Sequence, residues 1–453
     1  MFMSLGRGMA TRTILSTGSL GIVVTVTRSL VTLLTLPSLL ALLGVEGLGV
    51  WMTGLSMLGI IGFLNGGLSS ALVTAVARSR LDRALLLQNA ASGFYLSVGC
   101  SGVILLIGLP VVLIIDWHGI LHLSDAIVPQ EVTGLFLVLL ATLVLGFPAN
   151  VPKFIMLGNQ QGYLAHIADL VATIASATAL FVSISFGMSL PLLAAAWLIV
   201  QVSMFGLIGA LYLRRARIPV LAATHIDWPT LTKLFREFRQ FTVHQVSFAL
   251  SSHTDLTLIS IIAGPTASAS YGIAQRLFGL PTMIIVAMNQ AIWPVLADAD
   301  RRGDILSVKR TYLLALGIFV PSGLVIAAVF SIFYDQILYF WLSQNVVTDR
   351  LLLIGMICWM TVTIFVHTTE MVLRARGNAP FLMRCMIAML VVNLPVSVAL
   401  IHLVGQAGAI WGTVIAFIPC LAIPYATMVR TQFRTAPATA SSSKPLDGII
   451  PDR

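Results

Sequence analysis

The chain has 453 residues, of which 58% are hydrophobic and 9% charged, and its mean hydropathy is +0.97. Soluble domains carry about a quarter charged residues, so the composition excludes a soluble enzyme or binding domain and predicts an all-α polytopic membrane protein. The formal net charge of +9 would suit nucleic acid only if the basic residues formed a patch, and their distribution along the chain shows instead a topology signal.

Windows of about 20 apolar residues predict twelve spans, near 14–36, 50–72, 91–115, 133–151, 163–186, 190–212, 241–263, 268–292, 311–333, 350–373, 381–403 and 408–429. With the N-terminus cytoplasmic, 23 of the 26 Lys and Arg residues fall on the cytoplasmic side. Arg350 falls outside, and Arg28 and Arg276 fall within spans. That asymmetry predicts a multi-pass protein with both termini cytoplasmic. No cleavable signal peptide is expected, because the first apolar run is too long and lacks a small-residue cleavage site. Cys100, Cys358, Cys385 and Cys420 lie in apolar stretches without paired spacing, and read as packing residues.

The chain is written twice. "LGVEGLGVW" (43–51) aligns with "AGPTASASY" (263–271), matching Gly44 to Gly264 at 220 residues. "LGNQQGYL" (157–164) aligns with "RGNAPFLM" (376–383), matching Gly158 to Gly377 at 219, and Gly187 meets Gly405 at 218. Two six-helix halves in the same orientation are predicted, related by a pseudo-two-fold axis along the membrane normal with a cavity between them. The expected division is an N-terminal lobe (1–218), a cytoplasmic amphipathic linker (219–240), a C-terminal lobe (241–433) and a disordered cytoplasmic tail (434–453). Within "HIDWPTLTKLFREFRQF" (225–241), Asp227 reads as an N-cap. Leu231, Leu234, Phe235, Phe238 and Phe241 share a face opposite Lys233, Arg236 and Arg239, which suits an anionic leaflet. A solvated basic linker is the plainer reading.

Arg28 interrupts "VTVTRSLVTLL" (24–34), and an ionised group within the bilayer costs several kcal/mol unless it is satisfied. At a rise of about 1.5 Å per residue, Arg28 and Asp255 each lie about 21 Å from the cytoplasmic start of their spans, and Arg276 about 12 Å from its outer start. All three are expected at one level in the outer half. Three readings stand: the arginines bind an anionic substrate group, for which a forked guanidinium suits phosphate; they pair with Asp255 and latch the outward side; or they snorkel.

Asn65, Gln245, His253, Gln275, Asn289 and Gln290 are candidates to line the cavity, with interhelical hydrogen bonding as the alternative for each. Glu370 precedes Arg374 by one helical turn and is expected to pair with it, with proton coupling as the other role. His118 and His122 have a metal-like spacing in "DWHGILHLSD" but no further ligand cluster, so no metal and no cofactor is expected. GxxxxGK[ST] and HExxH motifs are missing. The loop 116–131 has no Arg or Lys to grip a diphosphate donor, which leaves a membrane glycan polymerase or ligase as a remote alternative.

The stretch "RSLVTLLTLPSLLALLGVEGLGVWMTGLSMLGIIGFLNGGLSSAL" (28–72) carries a leucine-glycine corner at Leu43 and Gly44, then Glu46, Gly49 and Trp51, and the polar run Asn65, Gly66, Gly67, Leu68. With "LGNQQGY" and the twelve-span layout, it resembles the polysaccharide-transport, or Wzx-type flippase, branch of the multidrug/oligosaccharidyl-lipid/polysaccharide exporter superfamily over roughly residues 12–433. The resemblance implies a V-shaped pair of six-helix lobes that open alternately to either side. It implies as substrate an undecaprenyl-diphosphate-linked oligosaccharide repeat unit, moved from the inner to the outer leaflet of the bacterial cytoplasmic membrane for O-antigen, lipopolysaccharide or exopolysaccharide synthesis. Related lipid II flippases carry cavity arginines in spans 1 and 8, the spans of Arg28 and Arg276, but this chain has none in span 2, which argues against lipid II itself.

On that reading Arg28 and Arg276, with Asn65, Gln275, Asn289 and Gln290, contact substrate, while Asp255, His253 and Glu370 serve coupling or gating. The partners implied are the lipid-linked oligosaccharide, anionic membrane lipids, and a polysaccharide polymerase and export machinery. A cation-coupled multidrug exporter of the same superfamily is the rival, although cationic drugs favour cavity carboxylates and span 1 has none.

Overall fold

The computed structural model describes residues 2–222, 224, 226–343 and 349–435, and every described regular element is helical. In chain order these are α1 (Phe2–Arg78), α2 (Arg83–Ile114), the short α3 (Trp117–Ile120), α4 (Pro129–Gly158) and α5 (Gly162–Ser185). The first half closes with α6 (Leu190–Ala194), a widened π turn at Ala195–Ile199, and α7 (Val200–Ala216). The second half comprises α8 (Trp228–Ala263), α9 (Pro265–Arg301), α10 (Ile305–Ile332), α11 (Tyr334–Leu342), α12 (Arg350–Ala375) and α13 (Ala379–Val404). It ends, like the first, in a helix broken by one π turn: α14 (Ala407–Phe417), Ile418–Ala422, and α15 (Ile423–Thr435).

Among the described residues, 10 helices are long and apolar enough to cross a membrane. The difference from the twelve expected spans lies in two places. The bent α1 counts once, and the apolar described segment of α8 is only Thr254–Ala263. The bend in α1 comes at Gly44, whose φ of 68° and ψ of −179° lie in a region essentially reserved for glycine. Gly264, its repeat partner, joins α8 to α9 with φ 89° and ψ 164°. The pair Gly187 and Gly405 likewise share positive φ, 61° and 64°. At the third landmark the left-handed residue of the first half is Gln160, not Gly158, opposite Gly377. The repeat therefore survives in backbone geometry where side chains have diverged.

One apolar core, containing Trp51, Phe136, Tyr271, Phe278, Met360 and Ile410, crosses both halves on the face where Gly44 and Gly264 turn, called here the corner face. Towards the opposite, basic face the core divides. Leu72, Phe147, Phe154 and Leu213 form one cluster in the first half, and Tyr312, Val372, Met389 and Tyr425 form another in the second. The two lobes thus share one apolar core at the corner face and keep separate cores towards the basic face, where α1 and α8 still cross closely at Gly67 and Thr242.

The linker helix is not a separate segment lying on a leaflet. It runs unbroken into the seventh predicted span as α8, capped by Asp227, whose carboxylate accepts from the Thr230 amide at 3.0 Å. Its apolar face is divided: Leu234 and Phe238 pack on the first-half cluster, whereas Phe235 and Phe241 stay exposed. Arg78 pairs with Glu237 at 3.0 Å and ties α8 to the end of α1. Of the expected tail, 436–453 lies outside the described residues.

Candidate functional site

Both intramembrane arginines reach one cavity. Arg28, Ser29, Thr32 and Leu33 on the first arm of α1 face Arg276, Gly279, Leu280 and Met283 on α9 across a volume of about 290 Å³. The residues at 276, 279, 280 and 283 recur at the spacing of one helical face, so α9 presents Arg276 above a floor of small and apolar groups. The Ser29 hydroxyl donates to the Met283 sulfur at 3.2 Å, bridging the two walls.

The depths differ from expectation. Counted from Gly44, Arg28 lies about 24 Å from the corner face; counted from Gly264, Arg276 lies about 18 Å and Asp255 about 14 Å from it. Arg28 is thus the deepest of the three, and its partner is not Asp255. The Arg28 Nη2 lies 3.5 Å from an Asp169 carboxylate oxygen, and its Nε donates to the Thr173 hydroxyl at 3.4 Å. Asp169, 3% exposed, is held more tightly by Lys153, whose ammonium donates to both carboxylate oxygens at 2.8 and 2.9 Å. His166 approaches the same carboxylate at 3.9 Å.

Asp255 faces away from the cavity, into the second lobe. It accepts from the Tyr271 hydroxyl at 2.9 Å and from Thr413 at 3.3 Å, and Thr413 accepts from Asn393 at 2.9 Å. The expected Arg–Asp255 latch is therefore corrected. Counting residues fixes the level of a side chain along a helix but not its direction around the axis.

Arg276 has no ion pair or hydrogen-bond partner among the described residues, and it also borders a smaller cavity of about 60 Å³ lined by Thr35, Trp51 and Trp197. By formal charge, Arg28 and Lys153 against Asp169 leave the first-lobe group one positive charge, and Arg276 adds a second. Arg28 and Arg276 thus give one cavity a cation from each lobe.

The lobes meet on the corner side of this cavity. A Cβ on Gly49 would lie 1.8 Å from the Pro265 carbonyl oxygen, so only glycine permits the observed approach. The Thr53 and Ser268 hydroxyls meet at 3.2 Å, and the Trp341 indole donates to the Leu33 carbonyl at 3.0 Å. Glu46 accepts from the amide and hydroxyl of Ser124 at 2.7 and 2.6 Å, clamping the following loop to the corner.

The other predicted residues separate. Asn65 sits on the second arm of α1, where Gly66 and Gly67 pack against Gln245 and Thr242 of α8, and its Oδ1 is buried without a described partner. The polar glycine patch is thus a close crossing between lobes. Gln275 is part-buried beside Arg276 but does not line its cavity. Asn289 donates to Thr368 at 3.2 Å in a second cavity on the basic side. Glu370 accepts from Arg374 Nε and Nη2 at 2.9 and 2.6 Å, as the one-turn spacing predicts. His253 and Gln290 lie outside the described side chains.

Sequence reasoning missed Lys153, His166 and Asp169. Ending the fourth span at 151 placed Lys153 among the cytoplasmic cations, and α4 in fact continues to Gly158. Asp169 lies inside the fifth predicted span and was legible by the rule that singled out Arg28: a charge within an apolar run needs a partner.

Two helical lobes with cations from both on a shared cavity define a polytopic helical membrane protein, and the comparisons with known proteins give its class as a transporter. Residues 15–300 match the family model described as polysaccharide biosynthesis protein, and residues 241–399 match the MatE model. The chain belongs to the polysaccharide biosynthesis protein family, within the multidrug/oligosaccharidyl-lipid/polysaccharide exporter superfamily. Its fold is similar to the inward-facing conformation of a multidrug resistance MATE family transporter, with TM-score 0.70 and 18% identity over 90% of this chain and 98% of that one. It is also similar to the outward-facing conformation of such a transporter, with TM-score 0.62 and 18% identity over 94% and 96% of the two chains. A superfamily transporter from Pyrococcus furiosus, described as having a binding pocket of reverse polarity, gives TM-score 0.62 and 16% identity over 94% and 96%. A comparison with curated proteins gave no match.

Proposed function

We propose that this protein flips undecaprenyl-diphosphate-linked oligosaccharide repeat units from the inner to the outer leaflet of the bacterial cytoplasmic membrane, supplying O-antigen, lipopolysaccharide or exopolysaccharide synthesis. The observation that carries this reading is the meeting of Arg28 and Arg276, one from each lobe, on a single cavity at membrane depth. The match of residues 15–300 to a polysaccharide biosynthesis family supports it.

A diphosphate and a hydrated glycan cannot cross hydrocarbon, so the polar head must use the cavity while the polyprenyl tail stays in lipid. A diphosphate diester carries two negative charges, which the net charge of Arg28, Lys153, Asp169 and Arg276 balances. Lys153 binds both oxygens of Asp169, so Arg28 can leave its 3.5 Å contact for a phosphate without stranding the carboxylate. The basic face is the cytoplasmic one on this reading, and both termini lie there. Rocking of lobes 1–218 and 241–433 about the 219–240 linker would exchange the open side. Asp255 is the candidate coupling residue, with His253 and Glu370 as gating candidates. Membrane lipids, polymerase and export machinery are the proposed partners.

The match of residues 241–399 to the MatE model favours a second reading, export of drugs by the same rocking motion. Native mass spectrometry of the purified protein with undecaprenyl-diphosphate-linked oligosaccharide decides between the two. Binding that weakens in folded Arg28→Ala and Arg276→Ala variants is expected. Absence of binding by the wild type, with saturable binding of cationic drugs, would replace the flippase reading with the exporter.

A further inference from the structure

We propose that the cavity between α9 and α12 on the basic side is a saccharide subsite, a reading that rests on the flippase function and extends it to the sugar end of the substrate. The cavity, about 190 Å³, is lined by Val286, Asn289 and Trp293 of α9 and by His367, Glu370 and Arg374 of α12. Its one carboxylate is already occupied. Glu370 is neutralised by Arg374 and touched by the His367 ring nitrogen at 3.2 Å. With both neighbours on Glu370, no free carboxylate remains for a cationic drug.

What remains is a mixed surface, apolar at Val286, Trp293 and Met371 and polar at Asn289, His367 and Arg374. Asn289 is 4% exposed and donates to Thr368, yet its Oδ1 is buried without a partner among the described residues. A buried acceptor left unsatisfied costs about 1–3 kcal/mol, so a ligand hydroxyl that shifts the Asn289 side chain enough to reach its Oδ1 gains a bond there. The Arg374 guanidinium has donor capacity beyond its bonds to Glu370, and Trp293 keeps 44% of its surface exposed. An exposed indole beside planar polar groups suits a pyranose, whose C–H face packs on an aromatic ring while its hydroxyls seek both donors and acceptors.

The position suits the same ligand. Asn289 follows Arg276 by 13 residues on α9, or about 20 Å towards the basic face. A glycan attached to a diphosphate held at Arg28 and Arg276, and extending towards the basic face, passes this level.

The test measures binding, by native mass spectrometry in detergent, of two probes: undecaprenyl diphosphate alone, and undecaprenyl-diphosphate-linked oligosaccharide extracted from membranes of the expressing strain. Trp293→Ala alters an exposed side chain and leaves the lobe core intact. It is expected to weaken the glycan-bearing probe about tenfold and leave the sugar-free probe unchanged, with Trp293→Phe restoring most of the loss. Arg28→Ala is expected to weaken both probes. If Trp293→Ala weakens neither probe, or both equally, while Arg28→Ala weakens both, the subsite is overturned and the flippase reading stands. If the wild type binds neither probe, both fall together.

Discussion

The indole nitrogen of Trp341, in the second lobe, donates to the backbone carbonyl of Leu33, in the first, at 3.0 Å. That carbonyl is free because Pro37, four residues on, has no N–H to close the helical turn. A proline inside α1 thus creates the acceptor that joins the lobes on the corner side of the cavity. Trp341→Phe removes the bond at a cost of about 1 kcal/mol, shifting the closed population about fivefold. Hydrogen exchange around Gly49–Thr53 is expected to quicken, and unchanged exchange would refute a latching role. Pro37→Ala, which supplies a competing N–H, is expected to act in the same direction.

The Lys153–Asp169 pair is a stability element as well as a charge reservoir. Asp169 is 3% exposed, so Lys153→Met, which leaves the carboxylate only its longer contacts with Arg28 and His166, is expected to lower stability by about 2 kcal/mol. Arg78→Ala, which removes an exposed pair with Glu237, is expected to cost under about 1 kcal/mol. Thermal unfolding of the two variants in the same detergent gives the comparison, and equal losses would contradict it.

Asp169→Asn releases Arg28 while leaving a neutral acceptor near Lys153. The cavity then gains one positive charge, and undecaprenyl diphosphate is expected to bind about tenfold more tightly. Weaker binding would mean that Asp169 positions Arg28 for the ligand instead of competing for it.

Two glycine substitutions of equal size should have opposite effects. Gly49→Ala places a methyl against the Pro265 carbonyl and is expected to separate the corner face and destabilise the closed state. Gly62, in the same arm of α1, has nothing within 4 Å of an added Cβ. Gly62→Ala is therefore expected to stabilise the helix by about 0.5–1 kcal/mol. Thermal unfolding and hydrogen exchange of both variants test this, and a shared sign of effect would show that close packing at Gly49 is unimportant.

The helix corners carry strain that only glycine avoids. Gly44→Ala and Gly264→Ala each place a Cβ in a disfavoured region, φ 68° and 89°, at an expected cost of about 1–3 kcal/mol. Substitution at Gln160, already left-handed at φ 59°, by glycine is expected to stabilise. Chemical denaturation of the three variants would reveal an error in the sign of either effect.

The arginine positions show where sequence reading reaches its limit. Arg28 and Arg276 were legible because a charge in an apolar run violates the bilayer's solvation rule, and the cavity they share was expected from the repeat. Their relation to Asp255 was not, because the level of each residue depends on where its helix begins and the direction of its side chain on helix rotation and bending. Lys153 and Asp169 form a pair between α4 and α5, 16 residues apart in the chain, and the choice of span ends concealed one member.

Composition alone determined that the chain is a polytopic helical membrane protein, since 9% charged residues cannot cover a soluble surface. Glycine spacing marked the repeat at Gly44 and Gly264 and at Gly187 and Gly405, because left-handed turns tolerate few other residues, whereas at the remaining landmark the left-handed residue of the first half is Gln160. Only the tertiary structure decided which charges meet. It directed Asp255 into the second lobe and joined Arg28 to Asp169. It also turned the Asn65–Gly67 patch into a crossing between lobes. Those outcomes depend on how helices rotate and bend to pack, and packing is a property of the whole set of neighbours rather than of any one helix.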